Sequence, residues 1–216
     1  MNKTNIEWCD YTWNPVTGCK RGCTYCYARG IHNRFNKTPF NRISWHPERL
    51  KDPAKIKKPS VIFVGSMSDP EYWQDWMISE ILDVCKSCKH HTFMFLSKSP
   101  FQYKSWPHLG NIRLGLTFEK CDNDIQHEKL MFHARENYRN LKFVSIEPLI
   151  GRFNYLIPEP IGQVIVGAMT GRKPVRPTRE MVQSVIENAG ENKIFWKDNI
   201  RVLYPDLCVN TEAKEE

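Results

Sequence analysis

Short apolar runs recur along the chain from Ser60 onward, and each is followed by small or polar residues. Five runs are clear and a sixth is weaker. They are Val61–Asp69, Thr92–Pro100, Ile112–Lys120, Phe143–Leu149, Val164–Gly171 and the weaker Lys193–Asn199. Because their apolar residues show little alternation, they predict strands covered on both faces, as in a parallel sheet. A first strand is predicted near Thr12–Val16.

Helical patterns occupy stretches between these runs. Residues Pro70–Cys88 carry apolar side chains at near-helical spacing. These are Trp73, Trp76, Met77, Ile81 and Val84. Further helices are predicted over Asp122–Glu136 and over Pro177–Asn188, where Thr178 is the expected cap of the second.

Repeated strand–helix units predict an α/β fold with a parallel sheet and right-handed crossovers. The six or seven units in the sequence are fewer than the eight of a closed TIM barrel, which typically needs ~250 residues. We therefore expect a single-domain, partial (β/α)6-type open TIM barrel. The competing architecture is a flat doubly wound sheet. Residues 1–210 are expected to form the domain and residues 211–216 a frayed tail.

Composition limits the class of protein. The chain has 216 residues, of which 41% are hydrophobic and 25% charged, as in a globular domain. No apolar run reaches the ~18 residues of a membrane span, and the N-terminus lacks the apolar core of a secretory signal. These features predict a cytoplasmic protein with no membrane partner. In that compartment thiols stay reduced, so clustered cysteines indicate metal binding or catalysis.

The formal net charge of +7 permits attraction to nucleic acid, although many basic globular proteins bind none. Basic and aromatic residues also alternate in the N-terminal half, a composition that suits phosphate contact and base stacking. A solvated loop has the same composition. The residues are Tyr27, Arg29, His32, Arg34, Phe35, Lys37, Arg42, Trp45, His46 and Arg49.

Three cysteines lie close together in "GCKRGCTYCYARG", at Cys19, Cys23 and Cys26. A disulfide framework, a zinc site and an iron–sulfur site are the alternatives. A closed structural zinc site needs four protein ligands, whereas this run supplies three thiols. Three thiolates suit a [4Fe–4S] cluster that keeps one iron free for a non-protein ligand, because fully ligated clusters use four cysteines.

The spacing Cys-x3-Cys-x2-Cys, with Tyr25 directly before the third cysteine, resembles the signature of radical S-adenosylmethionine (SAM) enzymes. The segments "WNPVTGC", "GCTYCYA", "VGSMSD", "GLTFE", "SIEPL" and "VIVGAMTG" are similar to a phage- and prophage-associated, three-cysteine radical-SAM-like family of unknown function. The similarity runs from Trp13 to about Lys197. Two features depart from many relatives: only three residues separate the first two cysteines, and Ala168-Met169 replaces a glycine–glutamate pair.

The resemblance implies a mechanism. The open iron of the cluster would bind the amino and carboxylate groups of SAM, and one electron would cleave the C–S bond. The 5′-deoxyadenosyl radical would then abstract hydrogen from a substrate. A reductant such as flavodoxin or ferredoxin would supply the electron. The expected substrate is a nucleic acid base or nucleotide; the alternatives are a small metabolite or peptide, or a non-catalytic iron–sulfur or zinc protein that binds nucleic acid.

Ligands of parallel α/β folds bind beyond the carboxyl ends of the strands. The resemblance implies that Gly65, Ser66 and Met67 approach the SAM amino group through main-chain atoms. The structural alternative is an ordinary strand–helix turn, with Ser68 or Asp69 as its cap.

Other strand ends carry further candidates. Lys98 could bind the SAM carboxylate or a substrate phosphate, or it could be a solvated loop lysine. Thr117 and Glu119 lie two apart, on one side of a strand, and could bind the SAM ribose or sulfonium region. Tyr25, Ser145, Glu147 and Gly167 complete the expected cofactor contacts.

Ser145 and Glu147 also face one way, at the end of an apolar strand. A carboxylate there is costly to bury unpaired, so Glu147 is the strongest polar candidate outside the cysteines. With Lys98 it forms the expected catalytic pair. The structural alternative is a salt bridge between Glu147 and an arginine. Lys197 could point into the barrel mouth, but a surface position is expected.

A second cysteine pair, Cys85-x2-Cys88, precedes His90 and His91 and has zinc-like spacing. No second pair lies nearby in the sequence. The pattern therefore favours buried or incidental thiols over an auxiliary metal site.

Overall fold

The computed structural model describes residues 1–121, 123–136, 141–158, 161–171 and 173–209. The predicted frayed tail, residues 211–216, lies outside them. The chain divides into two compact units, Met1–Leu114 and Gly115–Glu216. No helix among the described residues is long and apolar enough to span a membrane.

The first unit contains short strands at its N-terminus and then strand–helix units. Its strands are β1 (Asn2–Lys3), β2 (Tyr11–Trp13), β3 (Val16–Thr17), β4 (Ser44–Trp45), β5 (Val61–Val64) and β6 (Thr92–Ser97), and β7 (Ile112–Phe118) begins in it. Its helices are α1 (Tyr27–Phe35), α2 (Asp52–Lys55) and α3 (Asp75–Ser87). Short 3-10 turns lie at Pro47–Arg49, Pro70–Tyr72 and Pro100–Ser105.

The second unit continues the alternation. Its strands after β7 are β8 (Leu141–Ile146), β9 (Gln163–Val166) and β10 (Lys193–Trp196), and its helices are α4 (Asp124–Glu136), α5 (Arg179–Asn188) and α6 (Asp198–Arg201).

Eight strands form a mostly parallel sheet in the order β1-β2-β5-β6-β7-β8-β9-β10. The pairs β2–β5, β5–β6, β8–β9 and β9–β10 are parallel, and β1 pairs antiparallel with β2. Strands β3 and β4 form a separate antiparallel ribbon. The α/β class and the parallel pairing are therefore confirmed.

The interiors of β5 to β9 are buried because most of their side chains are apolar on both faces. In the first unit, Ile62, Val64 and Phe93 are fully buried and pack in one cluster with Ile81 of α3. In the second unit, Val144, Val164 and Val166 pack with Val182 of α5. Each unit thus has its own apolar core.

The predicted helices exist, with shifted starts. Pro70–Cys88 is divided into a 3-10 turn and α3, and Trp76 of α3 is half exposed. The Thr178 cap is confirmed, because its side chain accepts a hydrogen bond from the Met181 backbone N–H.

Candidate functional site

The cysteine loop begins with a glycine that no other residue could replace without strain. Gly18 has a φ of +94°, and a Cβ on it would lie 2.1 Å from the Arg42 carbonyl oxygen. Its N–H donates to Met67 O at 2.9 Å, and Cys19 N–H donates to Phe40 O at 3.0 Å. The first thiol is therefore fixed by contacts to two other segments of the chain.

The loop ends at the start of helix α1. Cys26 is the N-cap residue of this helix, and its Sγ accepts the Arg29 backbone N–H at 3.4 Å. The Arg29 guanidinium donates to Cys23 O at 2.6 Å. The second and third thiols are thus held at the first turn of α1.

All three thiols line one pocket of about 430 Å³. This size is within the roughly 300–1,000 Å³ of small-molecule sites. Arg29 and Asn33 of α1 also line it, with Lys20 of the loop. The structure therefore brings the three predicted metal ligands together around a common space.

The donor chemistry fits an iron–sulfur cluster, which is held by thiolates. Burial is the largest cause that raises the pKa of the Cys19 thiol to about 11; a backbone hydrogen bond lowers it, and the neighbouring Asp69, Cys26 and Cys23 also raise it. Ligand thiols must be deprotonated, so a bound iron centre would offset the cost of ionising the Cys19 thiol. Among the described residues, no three Cys, His, Asp or Glu side chains lie close enough to hold a metal ion in this conformation.

Arg21, between the first two cysteines, ties the loop to the turn after β5. Its guanidinium forms a short ion pair with the Glu71 carboxylate, and its Nε lies 3.8 Å from Asp69 Oδ2. The side chains are about one-quarter exposed for Arg21 and 10% exposed for Asp69. This partial burial makes the ion pair stronger than a fully solvated one.

Asp69 connects this turn to the end of β6. Its Oδ1 accepts from Ser97 Oγ at 2.5 Å, and its Oδ2 accepts from the Lys98 backbone N–H at 3.2 Å. The Lys98 ammonium lies 5.5 Å from the centre of the Tyr25 ring, within range of a cation–π contact. Lys98 therefore lies beside the cysteine loop, and its expected role in binding SAM or a phosphate stays a prediction.

The segment Gly65–Met67 also lies against the cysteine loop. Ser66 O accepts from the Tyr27 hydroxyl at 2.7 Å, and Met67 O accepts from Gly18 N–H. Each carbonyl keeps a second lone pair. The alternative turn is also present, because Asp69 caps the 3-10 turn by accepting from Glu71 N–H.

In the second unit, Glu147 follows β8 and pairs with a residue that follows β10. Lys197 Nζ lies 2.6 Å from Glu147 Oε1, and Ser145 Oγ donates to Glu147 Oε2 at 3.2 Å. A Cβ on Gly167 would lie 2.7 Å from Glu147 Oε1, so glycine leaves the room this carboxylate occupies. The expected surface position of Lys197 was wrong, since its side chain is 18% exposed.

Two other candidates lie at the end of β7. Thr117 is buried within the strand, and Glu119 follows it with partial exposure. The Glu119 carbonyl oxygen accepts the Ile150 N–H at 3.0 Å. Their expected role in binding SAM stays a prediction.

The second cysteine pair is built into the core. Cys85 and Cys88 are buried, and burial raises the pKa of both thiols. The Nε2 atoms of His90 and His91 contact the carbonyl oxygens of Ile56 and Pro53 instead of the thiols. These contacts favour the structural interpretation.

Sequence reasoning missed the contacts of three residues of the site. These residues are Asn14, Arg21 and Asp69, and Asp69 is the polar centre that joins Arg21 to the end of β6. The Asn14 side chain pairs with Ser66 Oγ at 3.0 Å and accepts Met67 N–H at 3.0 Å. Arg21 could have been singled out because it is the charged residue in the middle of the loop. The Asn14 contacts had no signal beyond the dipeptide Asn-Pro.

The fold and the site define an α/β protein with a three-thiol pocket at the start of its first long helix. The chain belongs to the DUF5131 family, a family of proteins of unknown function, whose model matches residues 3–199. No curated protein and no solved structure matches the chain.

Proposed function

We propose that this protein is a radical-SAM enzyme in which Cys19, Cys23 and Cys26 hold a [4Fe–4S] cluster. The observation that carries the proposal is the arrangement of these thiols around one pocket, with helix α1 beginning at the third. The sequence resemblance supports it independently. When bound, such a cluster supplies a coordination site and an electron for SAM.

The residues of the chain would position the reactants. Hydrogen bonds from Gly18 and Cys19 and the ion pair of Arg21 hold the loop in place. The cationic Lys98, beside Tyr25, suits the carboxylate of SAM or a phosphate. Glu147 supplies a carboxylate for a polar group of the cofactor or substrate.

The proposal also includes the type of α/β fold. Parallel pairing on both sides of the chain's midpoint supports an open, partial (β/α)6-type barrel. In that architecture Thr117, Glu119, Ser145 and Gly167 lie at the carboxyl ends of strands, where TIM-barrel active sites are built. A flavodoxin or ferredoxin would be the reductant.

The test is SAM cleavage by the full chain. The protein is reconstituted anaerobically with iron and sulfide, reduced with dithionite and mixed with SAM. We expect 5′-deoxyadenosine to form, and Cys23→Ala to abolish it while Cys9→Ala, a thiol outside the pocket, does not. A cluster that assembles without 5′-deoxyadenosine formation would favour a non-catalytic iron–sulfur protein instead.

A further inference from the structure

The segment around the pocket has an unusual charge. Residues 11–47 contain six Lys and Arg residues and no Asp or Glu, although the whole chain has 24 acidic residues. Two of the six are engaged, because Arg21 pairs with Glu71 and Arg29 donates to Cys23 O. The remaining four are exposed and form no ion pair with any described residue. They are Lys20, Arg34, Lys37 and Arg42.

Helix α1 carries a second unusual feature, an exposed apolar stripe. Tyr27, Ile31 and Phe35 are 52%, 46% and 75% exposed. Residues four apart lie on the same face of a helix, so the three side chains form one row. Exposed aromatic rings in a strongly basic segment are typical of surfaces on which nucleic acid bases stack.

The geometry of α1 places this row beside the pocket. Each residue advances about 100° around the helix axis, so the pocket-lining Asn33 is about 120° from Tyr27. The sector between them holds Gly30 and Arg34. A cation therefore lies between the pocket wall and the apolar row.

Gly30 itself supports a ligand on this sector. It is exposed within α1, where glycine destabilises a helix by roughly 0.5–1 kcal/mol relative to alanine. A Cβ there would meet no atom within 4 Å, so packing in the chain does not require glycine. Close approach of another molecule to the helix backbone would require it.

We propose that this surface, made of the exposed face of α1 with Lys20, Lys37 and Arg42, binds a single-stranded nucleic acid and presents an unpaired base to the pocket. This inference rests on the proposed function, since it names the substrate class of the same site. A single strand fits better than a duplex because its bases are free to stack on Tyr27 and Phe35. The positive charge, with no acidic residue in the segment, argues against an apolar protein partner as the occupant.

The test measures binding of a fluorescein-labelled uridine dodecamer to the full chain, both metal-free and reconstituted, with an RNA duplex of equal length as the competitor. We expect the single strand to bind more tightly than the duplex. Four unpaired cations predict that the logarithm of the binding constant falls with the logarithm of salt concentration with a slope of about −3. Arg34→Ala should reduce that slope by about 0.7, whereas Lys58→Ala and Lys86→Ala, exposed lysines outside the segment, should not.

Three further variants distinguish base stacking from apolar contact and from misfolding. Phe35→Leu should weaken binding about fivefold or more, whereas Phe35→Trp should retain it, because only the aromatic face stacks on a base. Gly30→Gln should weaken binding and yet raise the melting temperature by about 2 °C, because glutamine is a better helix former. A loss of binding in a stabilised protein is not explained by unfolding.

Equal affinity for duplex and single strand, or equal losses in the control lysine variants, would overturn the inference. So would Phe35→Leu binding with unchanged affinity. The binding measurements do not require SAM cleavage, so failure of this inference can be distinguished from failure of the proposed function. SAM cleavage without binding of the oligonucleotide would remove only the substrate assignment, and binding without SAM cleavage would remove only the enzyme assignment.

Discussion

The ammonium group of Lys197 lies 2.6 Å from Oε1 of Glu147, and the two residues are 50 positions apart in the sequence. Glu147 follows β8 and Lys197 follows β10. Both side chains are only about one-fifth exposed. The pair is therefore neither a solvated surface contact nor a fully buried one.

Glu147→Gln keeps the shape of this side chain and removes its charge. We expect 5′-deoxyadenosine formation to fall at least tenfold while the cluster assembles normally, because the carboxylate would no longer fix a ligand. We also expect a loss of about 1–3 kcal/mol of unfolding free energy, since a partly buried ammonium is left unpaired. Product formation and thermal melting are measured on the same samples.

Lys197→Gln is the matched control, because it breaks the same ion pair from the other side. It should lower stability by a similar amount and leave more activity than Glu147→Gln. If both variants lose stability equally and both retain turnover, Glu147 is a structural partner and not part of the reaction site.

Gly167→Ala tests the space beside this pair. The added methyl group would lie 2.7 Å from Glu147 Oε1 and 3.0 Å from Lys197 Cδ, and overpacking of this kind costs roughly 1–3 kcal/mol. We expect a lower melting temperature, and a smaller loss when Glu147→Ala is already present. Gly110→Ala, with no atom within 4 Å of its added Cβ, should show no such loss.

Cys19→Ala, Cys23→Ala and Cys26→Ala should each abolish the visible absorbance of anaerobically reconstituted protein, because each thiolate would hold one iron. Cys85→Ala and Cys88→Ala should keep it, since these thiols are buried in the core. Iron and sulfide content are measured alongside the spectrum. Retention in any of the first three variants would contradict the assignment.

Arg21→Gln tests whether the ion pair with Glu71 positions the cysteine loop. We expect slower cluster assembly and lower iron content, because the loop loses its ionic contact with the turn after β5. Lys20→Gln removes the same charge at the next residue, which is exposed and forms no ion pair with a described residue. An equal loss of iron in both variants would show that the positive charge, and not the contact with Glu71, is what matters.

His91 should make stability fall at mildly acidic pH. Burial is the largest cause that lowers its pKa below the ordinary 6.5. Its Nε2 is 3.1 Å from Pro53 O, and among the described residues its buried Nδ1 has no hydrogen-bond partner. As pH falls below about 6.5, the unfolded chain therefore takes up a proton that the folded chain refuses, and unfolding becomes easier.

The measurement is the free energy of unfolding between pH 7.5 and the acid limit of folding, for the natural chain and for His91→Gln. We expect the natural chain to lose stability with decreasing pH and the variant to show a smaller slope over the same range. Parallel curves would mean that His91 does not contribute to the acid sensitivity.

Local chemistry in the sequence determined the central strands, their parallel pairing and the Thr178 cap. Apolar runs without alternation have only one way to be buried, which is between two covered faces, so β5 and β9 followed directly from their residues. Thr178 was predicted as a cap, and Ser68 or Asp69 as the cap of an alternative turn, because a cap depends on the next three residues alone. The turn at Gly18 likewise needed a glycine, and the sequence supplies one.

Tertiary structure alone decided which distant side chains meet. Arg21 and Glu71 are 50 residues apart, as are Glu147 and Lys197, and no local pattern links either pair. Lys197 was expected at the surface because a lysine at a strand end is most often solvated. Its pairing with Glu147 depends on which strands are neighbours, and on a glycine between them at Gly167. Such contacts arise from long-range packing, which sequence periodicity does not encode.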